Sequence, residues 1–279
     1  MGIFQRCVAN CDALRARKAK LEQYQKEAAL AAAVYNKNGE MDPGGTVPRG
    51  FERVTDDAEL EKIGLSNKLL TPPGYQPDGN NAPFAAVFKD QDSGAYSVVF
   101  KGTSSGADWK VNAGQGLGNE TSYYSQAEII GKNVAMSDGG NNVKFVGHSL
   151  GGGLASAASR ASGMPATTFN AAGLHPNTIA DPRASQIDAV YVRGELLRGA
   201  QMTPGVRQAV GTKVPLDPPA GIGSRVAKWI ARTSIAAGHP WLGLGVAAVR
   251  GFFLHGMDAV VPAVDQEKAN VDKEIAECC

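Results

Sequence analysis

Residues 143–159 read Val-Lys-Phe-Val-Gly147-His-Ser149-Leu-Gly151-Gly-Gly-Leu-Ala-Ser-Ala-Ala-Ser. A short apolar strand runs through Gly-His-Ser-Leu-Gly into small residues that can pack closely as a helix. A serine at such a strand-to-helix turn must take a strained backbone conformation, so its neighbours two places away must be almost without side chain. The hydroxyl then points outward while the helix directs its positive end at the same spot. Ser149 is accordingly the candidate nucleophile.

The bare Gly-x-Ser-x-Gly pattern is weak by itself. With 34 glycines in 279 residues, chance yields roughly 0.2 matches. A second match exists at Gly102-Thr-Ser104-Ser-Gly106, also after an apolar strand. The run beyond Ser104, Gly106-Ala-Asp-Trp-Lys-Val-Asn-Ala-Gly-Gln-Gly116, cannot sustain a long helix. Context therefore favours Ser149.

Around the turn the pattern is that of an α/β domain. Phe84–Lys89 and Ala95–Lys101 flank a turn at 90–94 and read as a hairpin. Val143–Val146, Ala166–Phe169 and Ala189–Val192 read as buried strands, with helices expected over 12–36, 123–135 and 150–162. This order predicts a mostly parallel central sheet with helices on both faces. Loops at 39–50 and 71–83 suggest an N-terminal helical appendage over 1–80 and a catalytic domain over 81–279. Residues 220–254, rich in Trp and Phe, form a candidate helical lid or a buried helix pair.

Lys and Arg number 28 against 27 Asp and Glu, so no global charge attracts nucleic acid. The four cysteines, Cys7, Cys11, Cys278 and Cys279, lie at the extremes. A disulfide framework is not expected from them, and a reducing site of synthesis is the default. Charged residues near the N-terminus interrupt any apolar run, so no cleavable signal peptide is expected, and synthesis is expected in the cytoplasm. No His/Cys/Asp cluster has metal-ligand spacing, and no cofactor is called for.

The chain resembles the class 3 lipases and the related bacterial type VI secretion lipase effectors. The resemblance is carried by VVFKGT (98–103), Asp108-Trp109, VGHSLGGGLA (146–155), TFNAAGL (168–174), YVRGELL (191–197) and HGMDAV (255–260). It spans roughly 84–264 and implies an α/β-hydrolase fold acting on lipid or phospholipid esters at a membrane surface. It also implies an effector exported by a specialised secretion system, with a system component or an immunity protein as partner. By the same resemblance Phe100-Lys101-Gly102-Thr103 supplies part of an oxyanion hole, with Lys101 in place of the usual Arg. Thr103 and Leu150 are the two donors.

Nucleophile, acid and histidine follow in that chain order in such a fold. Glu195, just past the strand ending at Arg193, is the expected acid, with Asp181 and Asp217 as alternatives. Asp188 lies at the wrong end of that strand. Of four histidines, His148 sits inside the turn and His175 precedes the acid. His255, expected on a loop before a terminal helix, is favoured as base over His239. Two other readings stay open: a soluble carboxylesterase or thioesterase acting in the cytoplasm, and a non-catalytic binding protein with a hydrolase fold.

Overall fold

The computed structural model describes residues 11–35, 47–72, 84–102, 123–202, 206–224 and 246–279. Its centre is one seven-stranded sheet, with β1 Phe51–Val54, β2 Ala85–Asp90, β3 Tyr96–Phe100, β4 Val143–His148, β5 Ala166–Phe169, β6 Ile187–Val192 and β7 Thr212–Leu216. The strands lie side by side in chain order. β1, β2 and β3 pair antiparallel, and β3 to β7 run parallel.

Side chains alternate between faces along each strand, and the core divides accordingly. Ala85, Val87, Val98, Phe100, Val143 and Phe145 point to one face. There they meet a helix over 123–136 and the helix Leu150–Ser162, whose Leu154, Ala155, Ala157 and Ala158 are buried. Ala86, Phe88, Val99, Val146, Val190 and Val192 point to the other. That face is covered by α1, Cys11–Ala33, and by the last helix, Met257–Cys278. Numbered in order, the helices used below are α2 Asp57–Glu61, α3 Asn67–Leu70, α4 over 123–136, α5 Leu150–Ser162, α6 Leu196–Ala200, α7 Val246–His255 and α8 Met257–Cys278. The sheet covered by helices on both faces, with a serine at the β4–α5 turn, is an α/β-hydrolase architecture.

α1 and α8 pack antiparallel with a seven-residue step. Cys11 meets Cys279 in a disulfide, Lys18 pairs with Asp272 at 2.8 Å, and Gln25 donates to Asp265 at 2.6 Å. Seven residues are two helical turns, so this spacing presents the same stripe repeatedly. Leu14, Leu21 and Ala28 occupy the matching buried stripe of α1. Polar ties fasten α1 to the sheet as well: Lys20 and Tyr24 both reach Asp188 on β6, and Lys144 on β4 pairs with the buried Glu27.

Two expectations are corrected by this arrangement. The division at residue 80 runs between β1 and β2 of one sheet, and α1 shares the core of the second face; the N-terminal segment is packed as part of the same body. The cysteines do form disulfides: Cys11 is bonded to Cys279, and Cys278 is also disulfide-bonded. The antiparallel helix pair brings the distant sulfurs together. The outer strands β1 and β7 were not expected. β7 contains Pro215, which cannot donate to the ladder and is tolerated there because β7 is an edge. Most of the candidate lid, 225–245, lies outside the described residues; its final part belongs to α7.

Replacing both Cys11 and Cys279 by Ser removes the bridge between α1 and α8. The expected loss is about 2–4 kcal/mol, seen as a fall in melting temperature of roughly 5–15 °C. Unchanged melting in a calorimetric scan would show that this bridge adds nothing to the helix packing and the Cys278 disulfide that remain.

Candidate active site

Ser149 sits between β4 and α5 with φ 57° and ψ −125°, a region that non-glycine residues rarely enter. The reason for the flanking glycines is steric. A Cβ at Gly147 would lie 2.1 Å from the Gly151 carbonyl oxygen, and one at Gly151 would lie 2.3 Å from the Phe100 carbonyl oxygen. The turn is fastened by main-chain bonds: Ser149 N–H donates to Phe169 O on β5, and Ala172 N–H donates to Ser149 O.

Two further elements bring side chains to this hydroxyl. His255, the last residue of α7, places Nε2 at 2.9 Å from Ser149 Oγ. Its Nδ1 lies 2.8 Å from Glu195 Oε2. Glu195 follows β6 by a turn in which Gly194 takes φ 82°, and it caps the N-terminus of α6, accepting from Leu197 N–H at 2.8 Å and from Arg198 N–H. With Nδ1–H donating to the carboxylate, Nε2 presents its lone pair to the serine O–H. All three side chains are buried: Ser149 is 4 % exposed, Glu195 2 % and His255 8 %. The long glutamate fits because the same carboxylate that faces the imidazole also closes the first turn of a helix.

The other candidates lie elsewhere. Asp181 is exposed, and Asp217 is an exposed partner of Arg193. His175 caps a short turn by accepting from Asn177 N–H. Asp188 is engaged by Lys20 and Tyr24 at the start of β6. Leu150 is the first residue of α5, so its N–H belongs to the helix N-terminus beside Ser149. Thr103, Ser104 and His239 lie outside the described residues. Gly102, just before Thr103, lies against the turn: a Cβ there would meet His148 O at 2.7 Å. The expectation of a loop at His255 is corrected, since the residue ends a helix that Gly256 interrupts before α8.

Two buried polar residues were given no role by the sequence. His148 places Nε2 at 2.7 Å from the His255 carbonyl oxygen, which requires a proton on that nitrogen. Its ring stands edge-on to Tyr35 and 5.0 Å from the His255 ring. Burial, with the neighbouring His255 adding to it, pushes the His148 pKa down to about 3. Asn170, the residue after β5, takes φ 43° and bonds to the main chain of both β6 and α7. Its positive φ is a conformation asparagine tolerates, but nothing in TFNAAGL announces it.

A folded-state pKa depressed below the ordinary histidine value means that the unfolded chain takes up a proton the folded chain refuses. Stability is therefore present above about pH 6.5 and is lost as pH falls toward 3, at up to about 1.4 kcal/mol per pH unit from this group. Urea midpoints measured from pH 7 to 4 are expected to fall less steeply in His148→Gln than in the wild type. Parallel curves would mean that His148 is not the buried neutral group described.

A family model described as a Tle-like phospholipase domain matches residues 26–241. An extracellular phospholipase A1 of Serratia liquefaciens is 35% identical over 166 residues, covering 58% of this chain and 47% of that protein. The chain thus spans about half the length of that relative. A triacylglycerol lipase structure from Penicillium expansum aligns with a TM-score of 0.38 and 13% identity over 72% of this chain and 80% of that one. The matched stretch of the family model takes in Ser149 and Glu195 and ends before His255. Through that match the chain belongs to the Tle-like phospholipase domain family.

Proposed function

We propose that this chain hydrolyses carboxylic ester bonds of phospholipids through an acyl-enzyme on Ser149. The observation that carries the proposal is the unbroken run of hydrogen bonds from Ser149 Oγ to His255 Nε2, and from His255 Nδ1 to Glu195 Oε2, drawn from three separate elements. His255 takes the Ser149 proton as Oγ attacks the ester carbonyl carbon, and Glu195 holds the tautomer and stabilises the imidazolium. The oxyanion is stabilised by the Leu150 N–H at the positive end of α5 and by Thr103. The carbon–oxygen bond to the leaving alcohol breaks as Nε2 returns its proton to that oxygen. Water then attacks the acyl group, giving its proton to Nε2, and the fatty acid leaves with Ser149 restored.

Lipid as the substrate class is supported by membership of the family and by the name of the Serratia relative. Apolar surface beside the site is in keeping with it: Met202, just past α6, and Phe252 on α7 are exposed on the two packed helices next to Glu195 and His255. We further propose that the chain acts as an exported effector, outside the reducing cytoplasm. The Cys11–Cys279 disulfide supports this, because such bonds persist in oxidising surroundings. The relative's name, an extracellular phospholipase, supports it too.

Fatty-acid release from phospholipid vesicles tests the reading. Ser149→Ala is expected to lower the rate by at least about 10³-fold, and Glu195→Gln by about 10²–10⁴-fold, while Ser104→Ala stays near wild type. Equal loss in Ser104→Ala and Ser149→Ala, or no loss in either, would sink the assignment. Hydrolysis of a soluble short-chain ester with none of vesicle lipid would leave the nucleophile standing and overturn the substrate class.

A further inference from the structure

We propose that Asn170 is a positioning residue for the reaction: its side-chain amide anchors the main chain of His255 and thereby sets the imidazole between Ser149 and Glu195. The inference rests on the reading of Ser149, His255 and Glu195 as the reacting set.

Asn170 is 1 % exposed, and its side chain makes three hydrogen bonds. Oδ1 accepts from Val192 N–H at 3.0 Å, and Nδ2 donates to Leu254 O at 3.0 Å and to His255 O at 2.8 Å. Its own N–H donates to Val190 O at 2.9 Å. The orientation of the amide follows from its partners, since a main-chain N–H must face oxygen and two carbonyls must face nitrogen. Val192 ends β6, the strand that leads through Gly194 to Glu195. Leu254 and His255 end α7. One amide therefore joins the strand of the acid to the helix end of the base, and it does so from the residue that follows Phe169, whose carbonyl accepts the Ser149 N–H.

The last carbonyls of a helix have no partner within it. In α7 these are the carbonyls that carry the base, and they are received by side chains from the nucleophile's side of the molecule: Asn170 from the end of β5 and His148 from the end of β4. A displacement of about 1 Å at a reacting group can cost on the order of 10²-fold in rate. Few substitutions fit the position. Alanine removes all three side-chain bonds, and glutamine adds a methylene within a fully packed space. Aspartate keeps the acceptor for Val192 but turns an oxygen toward two carbonyl oxygens.

That last property separates positioning from simple support. Asn170→Asp preserves the tie to β6 and cancels the amide's own tether to α7, leaving only that of His148; Asn170→Ala removes both amide ties. Activity on phospholipid vesicles is expected to fall ~100-fold in kcat in both variants, with KM within about twofold, the signature of an interaction that serves the reaction and not binding. A second readout is the far-downfield proton resonance of the His255 Nδ1–H that donates to Glu195. It is expected in the wild type and in Ser149→Ala, and is expected to broaden or vanish in both Asn170 variants. Asn170→Asp with kcat within about threefold of wild type, a change confined to KM, or an unaltered resonance overturns the proposal. So does failure of both variants to fold, which would make Asn170 a residue of the core alone. Loss of activity in Ser149→Ala beside a fully active Asn170→Asp would defeat this inference only; retained activity in Ser149→Ala would defeat the reading beneath it.

Discussion

The close approach of β4 to α5 leaves no room for a side chain at residue 147, the end of β3 leaves none at residue 151, and Ser149 between them is held at a positive φ. Backbone strain of this kind costs about 1–3 kcal/mol and persists only where surrounding structure overdetermines it. Here the surroundings are the hydrogen bonds of Ser149 to Phe169 and Ala172, the small buried residues of α5 and the Phe100 carbonyl packed against Gly151. The order of the sheet adds to this. β4, β5 and β6 stand side by side in that order, so the ends of three consecutive parallel strands deliver Ser149, Asn170 and the turn to Glu195 at one edge of the sheet. Only the histidine must come from a distant part of the chain.

How far this was legible in the sequence depended on whether a residue's local neighbours or its remote partners decide its state. The β4–turn–α5 unit was readable because glycine spacing, strand composition and small helical residues all answer to one steric demand. Leu150–Ser162 and Ala166–Phe169 fall where composition and the stop at Gly163 and Pro165 put them. Phe51–Val54 carries charges at Glu52 and Arg53, and Thr212–Leu216 carries a proline; both become strands by pairing with β2 and β6 at the two margins of the sheet. Asn170 looked like one letter in a motif, because its significance lies in bonds to residues 192, 254 and 255.

Chain order and flanking composition were enough to select Glu195 and His255 as candidates, but not to show how they are held. Glu195 doubles as a helix cap, a role its sequence neighbours do not advertise. His255 ends a helix and not a loop, so its carbonyl needs a partner, and that need explains the buried polar residues on the other side of the site. The cysteines illustrate the reverse limit. Their spacing suggested no framework, yet two antiparallel helices in step every seven residues bring sulfurs from opposite extremes into bonding distance.

That helix pair bears on the order in which the molecule can assemble. The strands are laid down across the sheet as the chain proceeds, so most of the sheet grows by contacts between sequence neighbours. α1 is different: its partner α8 is the last helix, and the entropy of closing so large a loop must be met before their contact stabilises anything. Until then the Leu14, Leu21 and Ala28 stripe lacks one of its walls. His255 stands two residues before α8, so the base is joined directly to the helix whose contact with α1 closes the largest loop of the fold.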